Sequence, residues 1–123
     1  MKPPTLPLDP GEIRSALFVR LRRHGDMIVV GACVRLFKQW APHARLTLVV
    51  QPGYDTLLRS LEEIDEIVIA ERGAGGALRA LARIRALRPD LTVDFHGNLR
   101  AALLTRASGA RVKVGERRFH WPV

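Results

Sequence analysis

Apolar residues fall into short runs of two kinds along this chain. Ser15–Leu21, Arg45–Val50, Glu66–Ala70, Leu91–Phe95 and Val112–Val114 are brief, nearly unbroken and rich in Val, Ile and Leu, as strands buried on both faces require. Between them lie longer stretches with helical spacing. Met27–Trp40 is one, with Pro42 just past its end. Gln51-Pro52-Gly53 is a turn signal, and Tyr54–Leu61 after it predicts a short helix. A further helix opens at Gly73-Ala74-Gly75-Gly76 and runs to Leu87. Leu78, Leu81, Ile84 and Leu87 mark its apolar face, and Arg79, Arg83 and Arg85 its other faces. Pro89-Asp90 breaks it, and Asn98–Ser108 predicts the last helix. Strand–helix alternation with short links implies an α/β fold. With right-handed crossovers, the expectation is a Rossmann-like doubly wound parallel sheet of about five strands, with helices on both faces.

The 123 residues are enough for one domain with a core. Residues 1–13, with four prolines, read as a flexible lead-in, and residues 14–123 as the folded lobe. Apolar residues make up 47% of the chain and mean hydropathy is +0.01, a soluble globular composition. No apolar stretch is long enough to span a bilayer, and the proline-rich start does not resemble a secretory signal. The single Cys33 builds no disulfide framework and suits a reducing cytoplasm.

The formal charge is +8, and arginine greatly outnumbers lysine. Base composition of the genome can produce this without function. An acidic partner such as nucleic acid, a phosphorylated glycolipid or an anionic membrane surface is the functional alternative. Few aromatics interleave with Arg79, Arg83, Arg85 and Arg88, so specific nucleic-acid binding is not expected.

Ligands of doubly wound sheets bind beyond the carboxyl ends of the strands. The first such end reads Arg20-Leu21-Arg22-Arg23-His24-Gly25-Asp26, a basic loop closing on a carboxylate before an apolar helix. Asp26 there reads either as a helix N-cap or as a general base held ionised by the helix N-terminus and the arginines. The fourth strand ends in Asp94-Phe95-His96-Gly97-Asn98-Leu99-Arg100. Gly97 would admit a ligand to the backbone and Asn98 can cap the next helix, while His96 reads as a structural or a ligand-facing imidazole. Arg100 opposes the dipole of that helix unless an anionic ligand partners it. Gly73–Gly76 reads as a flexible loop or a weak phosphate cradle. Glu62-Glu63-Ile64-Asp65-Glu66 reads as a solvated turn. No metal-type Cys/His spacing, phosphate-loop lysine motif or serine nucleophile elbow is present.

Taken together, Phe18–Asp26, Leu46–Tyr54, Asp65-Glu66-Ile67, Asp90–Leu104 and Ser108-Gly109-Ala110 resemble the amino-terminal lobe of glycosyltransferase family 9, the lipopolysaccharide heptosyltransferases. The resemblance implies the first lobe of a GT-B fold, stopping before the donor-binding lobe, and therefore inactive alone. It implies inverting transfer of heptose from ADP-heptose to the phosphorylated lipid A–core saccharide, in the cytoplasm and peripheral to the inner leaflet. Asp26 then takes the proton of the acceptor hydroxyl. The acceptor-binding set is Arg22, Arg23, His24, Gly25, Arg72, His96, Gly97, Asn98 and Arg100, with Arg117 and Arg118 as further positions. A non-catalytic Rossmann-like module for a nucleotide or polyanion is the alternative.

Overall fold

A computed structural model describes residues 9–20, 24–53, 55–56, 58–59, 61–94 and 99–114, with backbone alone for 24–28 and 99. Five strands form one parallel sheet: β1 (Ser15–Val19), β2 (Arg45–Val50), β3 (Glu66–Ile69), β4 (Leu91–Asp94) and β5 (Val112–Val114). Three helices connect them: α1 (His24–Trp40), α2 (Gly73–Leu87) and α3 (Leu99–Ala107). The spatial order is β3-β2-β1-β4-β5. The chain therefore moves outward from β1 to β3, then crosses back over the sheet through α2 to reach β4.

That reversal places the helices in two layers. With right-handed crossovers, outward steps put a helix on one face and returning steps put it on the other. Ala16, Phe18, Leu46, Leu48 and Val50 join Val30, Val34 and Phe37 of α1 in one core. Leu17, Val19 and Val49 join Ala80 and Ile84 of α2 and Ala101 and Leu104 of α3 in the other. The alternation within β1 and β2 is the period-two pattern of strands covered on both sides. Phe18 and Phe37 meet edge to face, with centroids 5.4 Å apart.

Several expectations need correction. The lead-in stops short of Ile13, which is buried in the core after a single 3₁₀ turn at Pro10–Glu12. The helix expected over Tyr54–Leu61 is absent from the described positions there, which form turns. Pro52-Gly53 starts the first; the Asp55 carboxylate accepts from Gly53 N and Arg59 Nε, while its backbone carbonyl accepts from Leu58 N and Arg59 N. Helix α2 faces the sheet through Gly76, Ala80 and Ile84, leaving Leu78 66% exposed. Small residues at i and i+4 let the helix lie closer to the strands than a leucine face would allow.

The acidic turn is structural. Asp65 Oδ2 accepts from Leu46 N and from Lys38 Nζ, each at 2.8 Å, linking α1, β2 and the approach to β3. Burial pushes its carboxyl up, but the Lys38 and Leu46 bonds outweigh that and hold it below its ordinary value. Glu66 accepts from Arg83 Nε and Nη2, each at 2.7 Å, and from Arg45 Nη2 at 3.2 Å, fastening α2 to the sheet edge. On the other side, Asp90 Oδ2 accepts from Arg14 N and Ser15 N at 2.9 and 3.2 Å, while Asp90 N donates to Ser15 O. One residue thus sets the register of the central pair β1/β4.

Two outcomes follow for stability. Asp90→Ala, which strands two backbone donors, should lower the unfolding free energy by about 1–3 kcal/mol in urea titration; an unchanged midpoint would contradict the clamp. Bonding to Arg83 holds the Glu66 carboxyl below its ordinary 4.5. Its contribution is therefore complete above that pH and disappears as pH falls through the lowered value. Glu66→Gln should melt lower at neutral pH and lose less melting temperature than the parent between about pH 5 and 3. Equal slopes would show that the pair adds nothing.

Candidate functional site

Strands β1 and β4 are neighbours in the centre of the sheet, yet their outgoing connections lead to opposite edges. Ligands of doubly wound sheets bind at switch points of this kind. The links that leave these two ends carry Arg22 and Arg23 after β1 and His96, Gly97 and Asn98 after β4. Those five positions lie outside the described residues, as do Arg117 and Arg118.

The backbone of α1 begins at His24, so His24, Gly25 and Asp26 form its first turn. Asp26 is then inside the helix rather than the N-cap ahead of it. A carboxylate in the first turn of a helix is favoured by the helix dipole.

Beyond β4, α3 starts at Leu99, placing Arg100 in its first turn with no acidic residue beside it. Helix α2 likewise has no acidic residue in its first turn, and its N-cap, Arg72, makes no side-chain cap bond. Arg72 is exposed. Three helix N-termini and these arginines make the carboxyl rim of the sheet electropositive.

Arg100 is the described candidate with the clearest geometry. Its Nη2 donates to the backbone carbonyl of Glu71, in the link between β3 and α2. Its Nε is buried and makes no hydrogen bond. A buried donor left unmade costs about 1–3 kcal/mol, a penalty that an oxyanion reaching the guanidinium would remove. The bond also brings the Arg72 and Arg100 segments together on one rim, two segments 28 positions apart in sequence.

Two charged residues at this rim escaped the reading of site residues. Arg20 ends β1's run and is 7% exposed; Asp94 ends β4 and is 5% exposed. Register pairs Asp94 with Val19, so Arg20 and Asp94 flank the same point in the central pair. Both are engaged by neighbouring groups, as buried charges must be. A charge closing an otherwise apolar strand was the available signal.

The glycine stretch is not a flexible loop. Gly73–Gly76 is the first turn of α2; Gly73 takes φ +86°, and Gly76 packs against the Glu71 backbone. The arginine face of α2 is also occupied: Arg79 pairs with Glu71, Arg83 with Glu66, and Arg85 donates to Ala107 O. A shallow groove of about 340 Å³ lies between β3 and α2, but Glu66, Glu71, Arg79 and Arg83 along it already neutralise one another. Among the described residues, no cluster of His, Cys, Asp and Glu could hold a metal.

No protein-family model matches this chain. It is 27% identical to lipopolysaccharide heptosyltransferase 3 of Escherichia coli K12, over 78% of this chain and 30% of that protein. The glycosyltransferase family 9 structure from Veillonella parvula superposes with a TM-score of 0.81 at 19% identity, covering 94% of this chain and 35% of that one. The E. coli ADP-heptose lipopolysaccharide heptosyltransferase II gives 0.76 at 18% identity, covering 88% and 32%. This chain thus spans about a third of the length of the relatives it matches. Its five-stranded parallel sheet is the Rossmann-like fold of those structures, and its similarity to the heptosyltransferases of glycosyltransferase family 9 is shown in sequence and in architecture.

Proposed function

We propose that this chain is the amino-terminal, acceptor-side lobe of an inverting glycosyltransferase of the heptosyltransferase kind. The carrying observation is the β1/β4 switch point, beside which begin α1, with Asp26 in its first turn, and α3, with Arg100 in its first turn. The sequence similarity to a lipopolysaccharide heptosyltransferase supports the same reading.

In this reading the acceptor is an acidic, phosphorylated lipid A–core saccharide. Its phosphates and carboxylates meet Arg22, Arg23, Arg72 and Arg100, whose planar donor forks suit such groups. His24, Gly25, His96, Gly97 and Asn98 complete the contact surface. Asp26 accepts the proton of the acceptor hydroxyl as its oxygen bonds to the anomeric carbon. The bond from that carbon to the nucleotide phosphate breaks on the opposite side, inverting the centre and releasing ADP. The sugar nucleotide, ADP-heptose-like, belongs mainly to a second lobe, and no metal or cofactor takes part. The enzyme then works in the cytoplasm at the inner leaflet. No described helix is long and apolar enough to cross a membrane.

The test compares Asp26→Asn with the parent in a protein carrying this lobe together with a donor-binding lobe. Turnover should fall about 10²–10⁴-fold while donor affinity holds. Turnover within a few-fold of the parent would remove Asp26 as the base. Saturable ADP binding by this chain, without transfer in the two-lobed protein, would favour the non-catalytic nucleotide-binding module instead.

A further inference from the structure

The glycines of α2's first turn are not equivalent. At Gly73 a Cβ would meet open space, and the positive φ is the constraint. At Gly75 it would meet only the flexible end of Arg79 at 3.5 Å. At Gly76 it would collide with the backbone of Glu71, its carbonyl oxygen and carbon foremost. Backbone cannot swing aside as a side-chain tip can, so hydrogen at this Cα is a steric requirement.

The carbonyl that occupies the vacant space is the one that accepts from Arg100 Nη2. No carboxylate pairs with Arg100 among the described residues, so this neutral oxygen is the only anchor they provide. A guanidinium held at one nitrogen is a planar fork of fixed direction, and its remaining donors point where the anchor sends them. The consequence reaches across the sheet: a glycine on the helix after β3 decides the aim of an arginine on the helix after β4.

We propose that Gly76 is a positioning residue. It admits the Glu71 carbonyl beside the first turn of α2, and that carbonyl aims the Arg100 guanidinium at an oxyanion of the bound ligand. The second half rests on the acceptor-side reading above; the first half does not.

Arginine side-chain NMR on the 123-residue chain separates the two. The Arg100 Nε–H signal, assigned by its loss in Arg100→Lys, should exchange with water more slowly than that of exposed Arg35. In Gly76→Ala the carbonyl is displaced, and this protection should fall by about tenfold while the backbone signals of β1, β2 and β4 persist. Should Gly76→Ala fail to fold, replacing the Glu71–Arg72 peptide link with an ester weakens the same acceptor without adding a Cβ, and the same loss is expected. Protection retained in the folded variant would overturn the proposal. Titration with inorganic phosphate then reads the ligand half. It should move the Arg100 Nε–H signal in the parent, with affinity roughly tenfold weaker in the variant. Equal affinity in both would overturn the positioning role. No movement in the parent, with protection still lost in the variant, would count against the acceptor reading and leave the Gly76–Glu71–Arg100 anchoring in place.

Discussion

The reversal of chain direction between β3 and β4 is the constraint on which the rest depends. A right-handed connection from the outer edge back to the centre can run only over the face opposite α1. This puts α2 and α3 together and leaves β1 and β4 adjacent without a direct link, a switch point of the kind at which ligands of such sheets bind. It also gathers three helix N-termini at one edge of the sheet. Asp90 protects the arrangement from the opposite edge, holding β1 and β4 in register through two backbone donors.

Electrostatics then distinguish the rim from the remaining surface. Away from it, several cations meet carboxylates: Lys38 with Asp65, Arg59 with Asp55, Arg83 and Arg45 with Glu66, Arg111 with Glu12. These exposed or half-exposed pairs contribute modestly to stability, but they neutralise the surface locally. Arg100, at the rim, donates like Arg85 to a neutral backbone carbonyl, and no carboxylate among the described residues pairs with it. The net charge of +8 alone could not reveal that difference, since it counts cations with and without a carboxylate partner equally.

Strand positions were legible because a strand buried on both faces is a short apolar run: all five began where the runs began, β2 and β5 also ended there, and the other three ended within two residues of the run's end. The carboxyl ends, and hence the candidate rim, followed from the same pattern. Rotation of a helix about its axis was less legible. Leu78 looked like a core residue, yet Gly76 and Ala80 face the sheet, because close packing can favour the smaller side chains. Asp65 and Glu66 looked like a solvated turn because their partners, Lys38, Leu46 and Arg83, are 17 or more positions away. Arg20 and Asp94 were hidden for a similar reason: burial of a strand-terminal charge depends on neighbours that only the folded sheet supplies. The role of Gly76 lay in a contact between backbone atoms, which composition cannot show.

The most direct test of the central claim is a map of where a phosphorylated sugar touches this chain, read from backbone amide shifts during titration. The account predicts that the largest changes fall in the first turns of α1 and α3 and at Arg72–Gly73, around the carboxyl ends of β1 and β4. Changes concentrated along the β3–α2 groove, or at the opposite edge near Asp90, would contradict it.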